Sequence, residues 1–228
     1  MIVTGLDSNR EDIIEWWLDN ALKYNKTEKI GVWDLGMSSA CRNHLKRKYK
    51  QVWFSEVIDG HIPLHEKKIG WYYKIHCVKE SPEQSVVWVD SDCQILTDIS
   101  DIFHLVPEGK IGLTKDWGRS NWWATGVIVV NDRPSLLDTW HERLWTPDEY
   151  GELIRGDQEA LNDLIGTGEH EQIVELPQEY QWLRASLNRG IKSDNVKVIH
   201  WTGAPGKKFI NEVLMKGGKY TGQQVDTL

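Results

Sequence analysis

The chain has 228 residues, a formal charge of −7 and 13 tryptophans, where ordinary usage gives about three. Its composition suits one globular domain with a sizeable core, and no apolar run approaches the roughly 18 residues of a membrane span. An acidic chain whose longest basic run is Lys46-Arg47-Lys48 is a poor binder of duplex nucleic acid.

The opening residues Met1-Ile2-Val3-Thr4-Gly5 lack a basic n-region and a long apolar h-region, so no secretory signal is expected. Cys41, Cys77 and Cys93 are odd in number and widely spaced. They fit neither a disulfide framework nor a zinc site, and a reducing cytoplasm is the simplest location.

Ile2-Val3-Thr4 reads as a strand opening into the polar loop Asp7-Ser8-Asn9. Ser8 or Asn9 can cap the next helix, whose apolar stripe is Ile13, Ile14, Trp17, Leu18, Ala21 and Leu22. Ile30 to Trp33 forms a second strand, Ser38 or Ser39 caps a basic helix through Tyr49, and Val52-Trp53-Phe54 is a third strand. A helix is expected from Lys67 to about Glu80. Val86-Val87-Trp88-Val89 is then a continuous apolar run of the kind buried on both faces of a parallel sheet. This alternation predicts right-handed βαβ units in an open α/β sheet.

Beyond Asp92 the pattern loosens. Ile111 to Thr114 and Gly126 to Val130 read as strands, and Pro134 suits the first turn of a helix running to about Leu144. Asp157 can cap a helix through Ile165. Val196 to His200 is a last strand, followed by a Gly- and Pro-rich turn and a short helix. No linker divides the two halves.

Asp90-Ser91-Asp92 ends the Val86 to Val89 strand, and ligands of open α/β sheets bind beyond the carboxyl ends of strands. Two carboxylates one residue apart can share a hard cation. Alone the motif is unspecific, because a chain with 17 aspartates contains about one Asp-x-Asp by chance. A solvated turn is its bland alternative. His200 also ends a strand, and Gly203-Ala204-Pro205-Gly206-Lys207-Lys208 follows closely. Imidazole, carboxylates and loop lysines together can hold a metal–diphosphate unit, with His and Asp on Mn²⁺ or Mg²⁺ and Lys on phosphate oxygens. An isolated His at a strand end is ordinarily structural, and an isolated Asp in Gly156-Asp157-Gln158 is ordinarily an N-cap.

In this order the segments resemble the GT-A glycosyltransferases, most closely the retaining family of glycogenin and the bacterial lipopolysaccharide galactosyltransferases. Val3-Thr4-Gly5-Leu6-Asp7-Ser8-Asn9 is similar to that family's first strand and nucleoside-holding loop, and Asp34 to Ser38 to its second strand end. Lys74 stands where the family has a basic residue that reaches the donor. Val89 to Asp92 matches the metal-binding Asp-x-Asp, Trp123-Ala124-Thr125-Gly126 its Phe-Asn-Ser-Gly, Gly156-Asp157-Gln158 its Gly-Asp-Gln, and His200 to Gly203 its metal-binding His and phosphate loop. Two departures stand out. Ala124 replaces the Asn that meets the donor sugar, and the loop lysine falls at Lys207, one position late, with Lys208 as the alternative.

The resemblance implies a single GT-A, Rossmann-like domain over residues 1–228, an open mixed sheet flanked by helices. Residues 1–92 would form the nucleotide-binding half and 93–228 the acceptor and catalytic half. It further implies metal-dependent transfer of a sugar from a nucleotide diphosphate, UDP-linked, to a hydroxyl of a carbohydrate or glycoconjugate, with retention. Metal ligands would be Asp90, Asp92 and His200, carrying Mn²⁺ or Mg²⁺. Thr4, Gly5, Leu6, Asp7, Asn9, Lys74, Asp90, Ser91, Thr125, Gly203 and Lys207 would hold the donor, with Asp157 and Gln158 near the anomeric carbon. Two rivals are a haloacid-dehalogenase-like phosphatase and a Trp-rich carbohydrate-binding module. The first wants Thr or Val two residues after the second Asp, where this chain has Gln94. Of the tryptophans, Trp16 or Trp17, Trp33, Trp53, Trp71, Trp88, Trp140 and Trp145 are expected in the core. Trp117, Trp122, Trp123, Trp182 and Trp201 are expected around the pocket, with Trp122 and Trp182 the candidates for acceptor stacking.

Overall fold

The computed structural model describes residues 1–58, 69–119, 122–166, 168–185 and 195–218. Strands and helices alternate through the first part as the apolar runs dictate: β1 (Ile2–Leu6), α1 (Ile14–Tyr24), β2 (Ile30–Asp34), α2 (Ser39–Lys48), β3 (Trp53–Val57), α3 (Ile69–Lys79) and β4 (Ser85–Val89). After Asp92 come β5 (Cys93–Ile95), β6 (Lys110–Asp116), β7 (Trp122–Asn131), α4 (Leu136–Trp145), α5 (Asp157–Ile165), β8 (Ile173–Glu175), β9 (Trp182–Leu183), β10 (Val198–His200) and α6 (Gly203–Glu212). Residues 67 and 68 of the expected third helix lie outside the described residues.

The main sheet has seven strands in the order β3-β2-β1-β4-β7-β6-β8. β3, β2, β1 and β4 run parallel, β7 is antiparallel to β4 and β6, and β8 is parallel to β6. It is therefore an open mixed sheet, and strands from both halves of the chain share it. Period-two alternation explains its double-sided burial. On β4, Val87 and Val89 face one core with Trp17, Leu18 and Ile102, while Val86 and Trp88 face a second with Tyr72, Trp140 and Leu161. Each such fully buried side chain contributes about 1.5–3 kcal/mol.

One boundary expectation is corrected. Neither Ser8 nor Asn9 caps α1, because the loop first closes a 3₁₀ turn at Ser8–Arg10, where the Asp7 carboxylate accepts from the Asn9 N–H at 2.8 Å. α1 then starts behind Ile13, which offers no side-chain cap. Ser38 does cap α2, accepting from the Cys41 N–H.

Register creates the site. Val89 pairs with Val127, so residues 122–126 of the antiparallel β7 run past the carboxyl end of β4, and β6 follows with Lys115 opposite Trp123. A second, three-stranded sheet, β5-β10-β9, grows directly from the segment after Asp92. Its antiparallel pairing puts His200 opposite Cys93, and its parallel pairing puts Leu183 beside His200. Two remote segments are thereby brought to the edge where β4 ends.

Candidate active site

Asp90 sits just past β4, its backbone N–H donating to the Gly126 carbonyl. Its side chain is fixed from behind. The Trp88 indole N–H donates to Oδ1 at 2.7 Å, and the Lys74 ammonium lies 2.9 Å from Oδ1 and 3.1 Å from Oδ2. Trp88 was expected as core packing, and its rings do pack there, but its polar edge also orients the Asp90 carboxylate.

Lys74, on α3, is only 3% exposed. It donates to the Thr125 carbonyl at 3.0 Å and ion-pairs with Asp157 Oδ2 at 2.8 Å, off the line of an ideal hydrogen bond. Burial opposes its charge, but Asp157 and Asp90 outweigh that and hold the ammonium above its ordinary range. Burial pushes the Asp157 carboxyl up, Lys74 pulls it back, and Asp90 adds to the rise. Asp157 is not an N-cap. It is the first residue of α5 behind Gly156, with its carboxylate turned inward to Lys74, and its carbonyl accepts from the Trp140 indole.

His200 presents Nε2 to both members of the Asp-x-Asp pair, 3.1 Å from Asp92 Oδ1 and 3.8 Å from Asp90 Oδ2. Burial works against the imidazolium, yet Asp92 and then Asp90 raise the ring above its ordinary value. Asp92 is in turn held below the usual carboxylate range: desolvation raises it, and His200 and Lys207 more than reverse that. A glycine makes the imidazole's seat, since a Cβ on Gly126 would stand 2.3 Å from His200 Nδ1 and 2.9 Å from Gln181 Nε2.

Two carboxylates and an imidazole suit Mn²⁺ or Mg²⁺. His200 Nε2 and Asp92 Oδ1 stand 3.1 Å apart, so one cation between them could be held by both. Cys93 Sγ also falls within 4.8 Å of the donor atoms of Asp92 and His200. Burial pushes that thiol well up and it donates to the Gly126 carbonyl, and a soft sulfur suits a hard, oxygen-preferring cation poorly.

The Gly- and Pro-rich stretch after His200 is not a turn but the opening of α6, with Gly203 at φ 74°. Lys207 reaches to 3.8 Å from Asp92 Oδ2, whereas Lys208 lies 4.0 Å from Glu212. A side chain at position 206 has no room, since its Cβ would stand 2.2 Å from the Trp201 carbonyl oxygen. That explains why the cation comes one residue late.

Around this centre, Gln158 donates to Asp116 Oδ2 at 2.9 Å. Asp116 ends β6 on the same sheet edge, and a carboxylate after a strand was the signal that could have found it. Thr4 is buried with its hydroxyl unpartnered among the described residues, and Asn9 is exposed. Gly5 and Ser91 are partly exposed. Leu6 turns its side chain into the core and gives its carbonyl to the Leu35 N–H, and Asp7 is committed to its own turn. Ala124 is buried.

The tryptophan assignments need correction. Trp123, Trp182 and Trp201 are 3%, 2% and 0% exposed, while Trp71, expected inside, is 46% exposed. Trp201 stacks on Phe209 at 4.6 Å. Exposed indole surface is left at Trp117, edge-on to Trp182, and at the partly buried Trp122 beneath Arg119.

No protein-family profile matches the chain. Over 200 residues it is 24% identical to glycogenin-1 of Mus musculus, an alignment covering 82% of this chain and 58% of that protein. The chain thus spans less than two thirds of that relative's length. It superposes on the galactosyltransferase LgtC, solved with donor and acceptor sugar analogues, with a TM-score of 0.70 at 14% identity, covering 90% of this chain and 87% of that one. The glycosyltransferase GlyE of Streptococcus pneumoniae gives 0.68 at 16% identity, over 98% of this chain and 65% of that one. With its sheet order and the placement of its acidic edge, the chain has the GT-A glycosyltransferase fold and resembles the group that holds glycogenin and the lipopolysaccharide galactosyltransferases.

Proposed function

We propose that the chain is a metal-dependent glycosyltransferase that moves a sugar from a UDP-linked donor to a carbohydrate hydroxyl with retention. The observation that supports this reading best is the convergence of Asp90, Asp92 and His200, with Lys207 beside them, on the carboxyl edge of β4. Residues 1–228 are read as one domain in a reducing, cytoplasmic setting, where the three free cysteines belong. Among the described residues, no helix is long and apolar enough to cross a membrane.

The difficult step in such a transfer is the charge that grows on the departing diphosphate. A divalent cation, when held by Asp90, Asp92 and His200, supplies electrostatic stabilisation of that charge. Lys207 adds a second cation on the same side, and the N-terminus of α6 adds backbone N–H groups. Asp157 and Gln158 follow on the far side of Lys74, where they would face the reacting carbon. The Asp157 carboxylate would stabilise an oxocarbenium-like state or act as a transient nucleophile, with Lys74 fixing its orientation. Trp117 and Trp122 offer exposed apolar surface to an acceptor ring.

Turnover of a panel of UDP-, GDP- and dTDP-sugars, followed by nucleotide release with and without Mn²⁺, tests the proposal. Release from a UDP-sugar that EDTA abolishes supports it, and an NMR assignment of the product anomer tests retention. An absence of both turnover and metal-dependent nucleotide binding contradicts it. Phosphate release from simple phosphomonoesters would revive the phosphatase alternative.

A further inference from the structure

Gln181 was not anticipated from the sequence, yet its side chain touches the candidate metal ligand. It is 1% exposed and follows a 3₁₀ turn, with its backbone N–H donating to the Gln178 carbonyl and its own carbonyl accepting from the Gln178 side chain. Its amide spans two groups. Oε1 lies 2.7 Å from the backbone nitrogen of Val127, and Nε2 lies 3.3 Å from His200 Nδ1.

The Val127 N–H can only donate, so the Gln181 atom facing it must be the carbonyl oxygen. The other amide terminus is therefore NH₂, and it faces His200 Nδ1. A donor there requires Nδ1 to accept, which puts the proton of the neutral ring on Nε2. That Nε2–H is the hydrogen aimed at Asp92 Oδ1. Gly126, lacking a Cβ, lets both side chains approach this closely.

We infer that Gln181 is a positioning residue that holds His200 in the tautomer opposed to metal binding, and so lowers the site's affinity for divalent cations. The inference rests on the metal reading given above. A cation facing Asp90 and Asp92 needs the lone pair of Nε2, which moves the proton to Nδ1. Metal-bound histidines ordinarily donate that second N–H to a carboxylate or carbonyl. Here it would meet two amide hydrogens instead. Loading the site then requires Gln181 to turn its oxygen to His200, leaving the Val127 N–H opposite an NH₂ group.

Long-range ¹H–¹⁵N imidazole correlations at mildly alkaline pH test this on the metal-free full chain. The His200 signals are identified by their loss in His200→Asn. The Nε2–H tautomer is expected without metal, and the Nδ1–H tautomer with saturating Mg²⁺. In Gln181→Glu a carboxylate can accept from both Val127 and Nδ1–H, so the metal-free ring should carry a proton on Nδ1, as the Nδ1–H tautomer or as an imidazolium held between the new carboxylate and Asp92. Its Mn²⁺ affinity, measured by calorimetry, should rise roughly tenfold. A proton on Nδ1 in the metal-free natural chain overturns the inference, as does a folded Gln181→Glu variant whose affinity does not rise or whose Nδ1 stays unprotonated. Failure of the natural chain to bind Mn²⁺ at all would sink the metal reading, while the metal-free tautomer would still decide the role of Gln181.

Discussion

Lys74 and Asp157 meet 2.8 Å apart in the interior, one from α3 and the other from the first turn of α5, with Asp90 on the other side of the same ammonium. One cation therefore locks together the metal-side and sugar-side carboxylates. Removing one member of a buried pair costs about 3–5 kcal/mol, because the remaining charge is stranded. Lys74→Met should lower unfolding stability by about that amount, read from urea titration. Lys74→Met combined with Asp157→Asn should recover part of the loss. If the single variant is as stable as the natural chain, the ion pair is not holding the site.

Gly126 makes a sharper geometric claim. In Gly126→Ala the added methyl overlaps the imidazole, which must leave its seat. The expected outcome is a folded protein, by circular dichroism, with at least tenfold weaker Mn²⁺ binding. Unchanged binding would show that His200 does not hold the ion.

Lys207 is proposed to meet phosphate, since it reaches to 3.8 Å from Asp92 and position 206 has no space for a side chain. A hydrogen bond to a charged group contributes about 1.5–3 kcal/mol. Lys207→Ala should therefore weaken UDP binding tenfold or more while leaving uridine binding unchanged. Lys208→Ala should leave both unchanged. Equal losses for UDP and uridine would move Lys207 out of the phosphate site.

Burial raises the thiols of Cys77 and Cys93 well above their ordinary values, and lifts Cys41 too, though Cys41 is only half-buried. A raised thiol holds less thiolate at a given pH, so its reaction with a disulfide reagent shifts to more alkaline conditions. At pH 8 the native chain should titrate slowly at Cys41 alone, accelerating as pH rises, and all 3 cysteines should react once the chain is unfolded. Rapid native labelling of Cys93 would contradict its placement beneath the site.

The parts of this architecture that were legible in the sequence are those with local causes. Val86 to Val89 forms a strand because four consecutive apolar residues can be buried on both faces, and Asp90 then falls at the sheet edge. Of the second sheet only the middle strand was legible, as the Val196 to His200 run whose last three residues form β10. β5 has three residues and β9 two, too few for a period to show. The sheet exists because His200 and Cys93, over a hundred residues apart, pair across it. Gln181 carried no signal, since what defines it is a backbone N–H 54 residues away. The tryptophans misled for the opposite reason. Proximity in sequence to motif residues placed Trp123, Trp182 and Trp201 at the pocket, but side-chain direction buries the first two on their strands and Trp201, just past β10, stacks inward on Phe209. At α3, the indole of Trp71 instead emerges beside Gly156.

The most direct measurement of the central claim is nucleotide release from UDP-sugars by the natural chain and by Asp92→Ala, each with Mn²⁺ and with EDTA. The account predicts turnover by the natural chain with Mn²⁺, none in EDTA, and at least a hundredfold loss in Asp92→Ala at any Mn²⁺ concentration. Full activity in EDTA, or an Asp92→Ala variant as active as the natural chain, would contradict it.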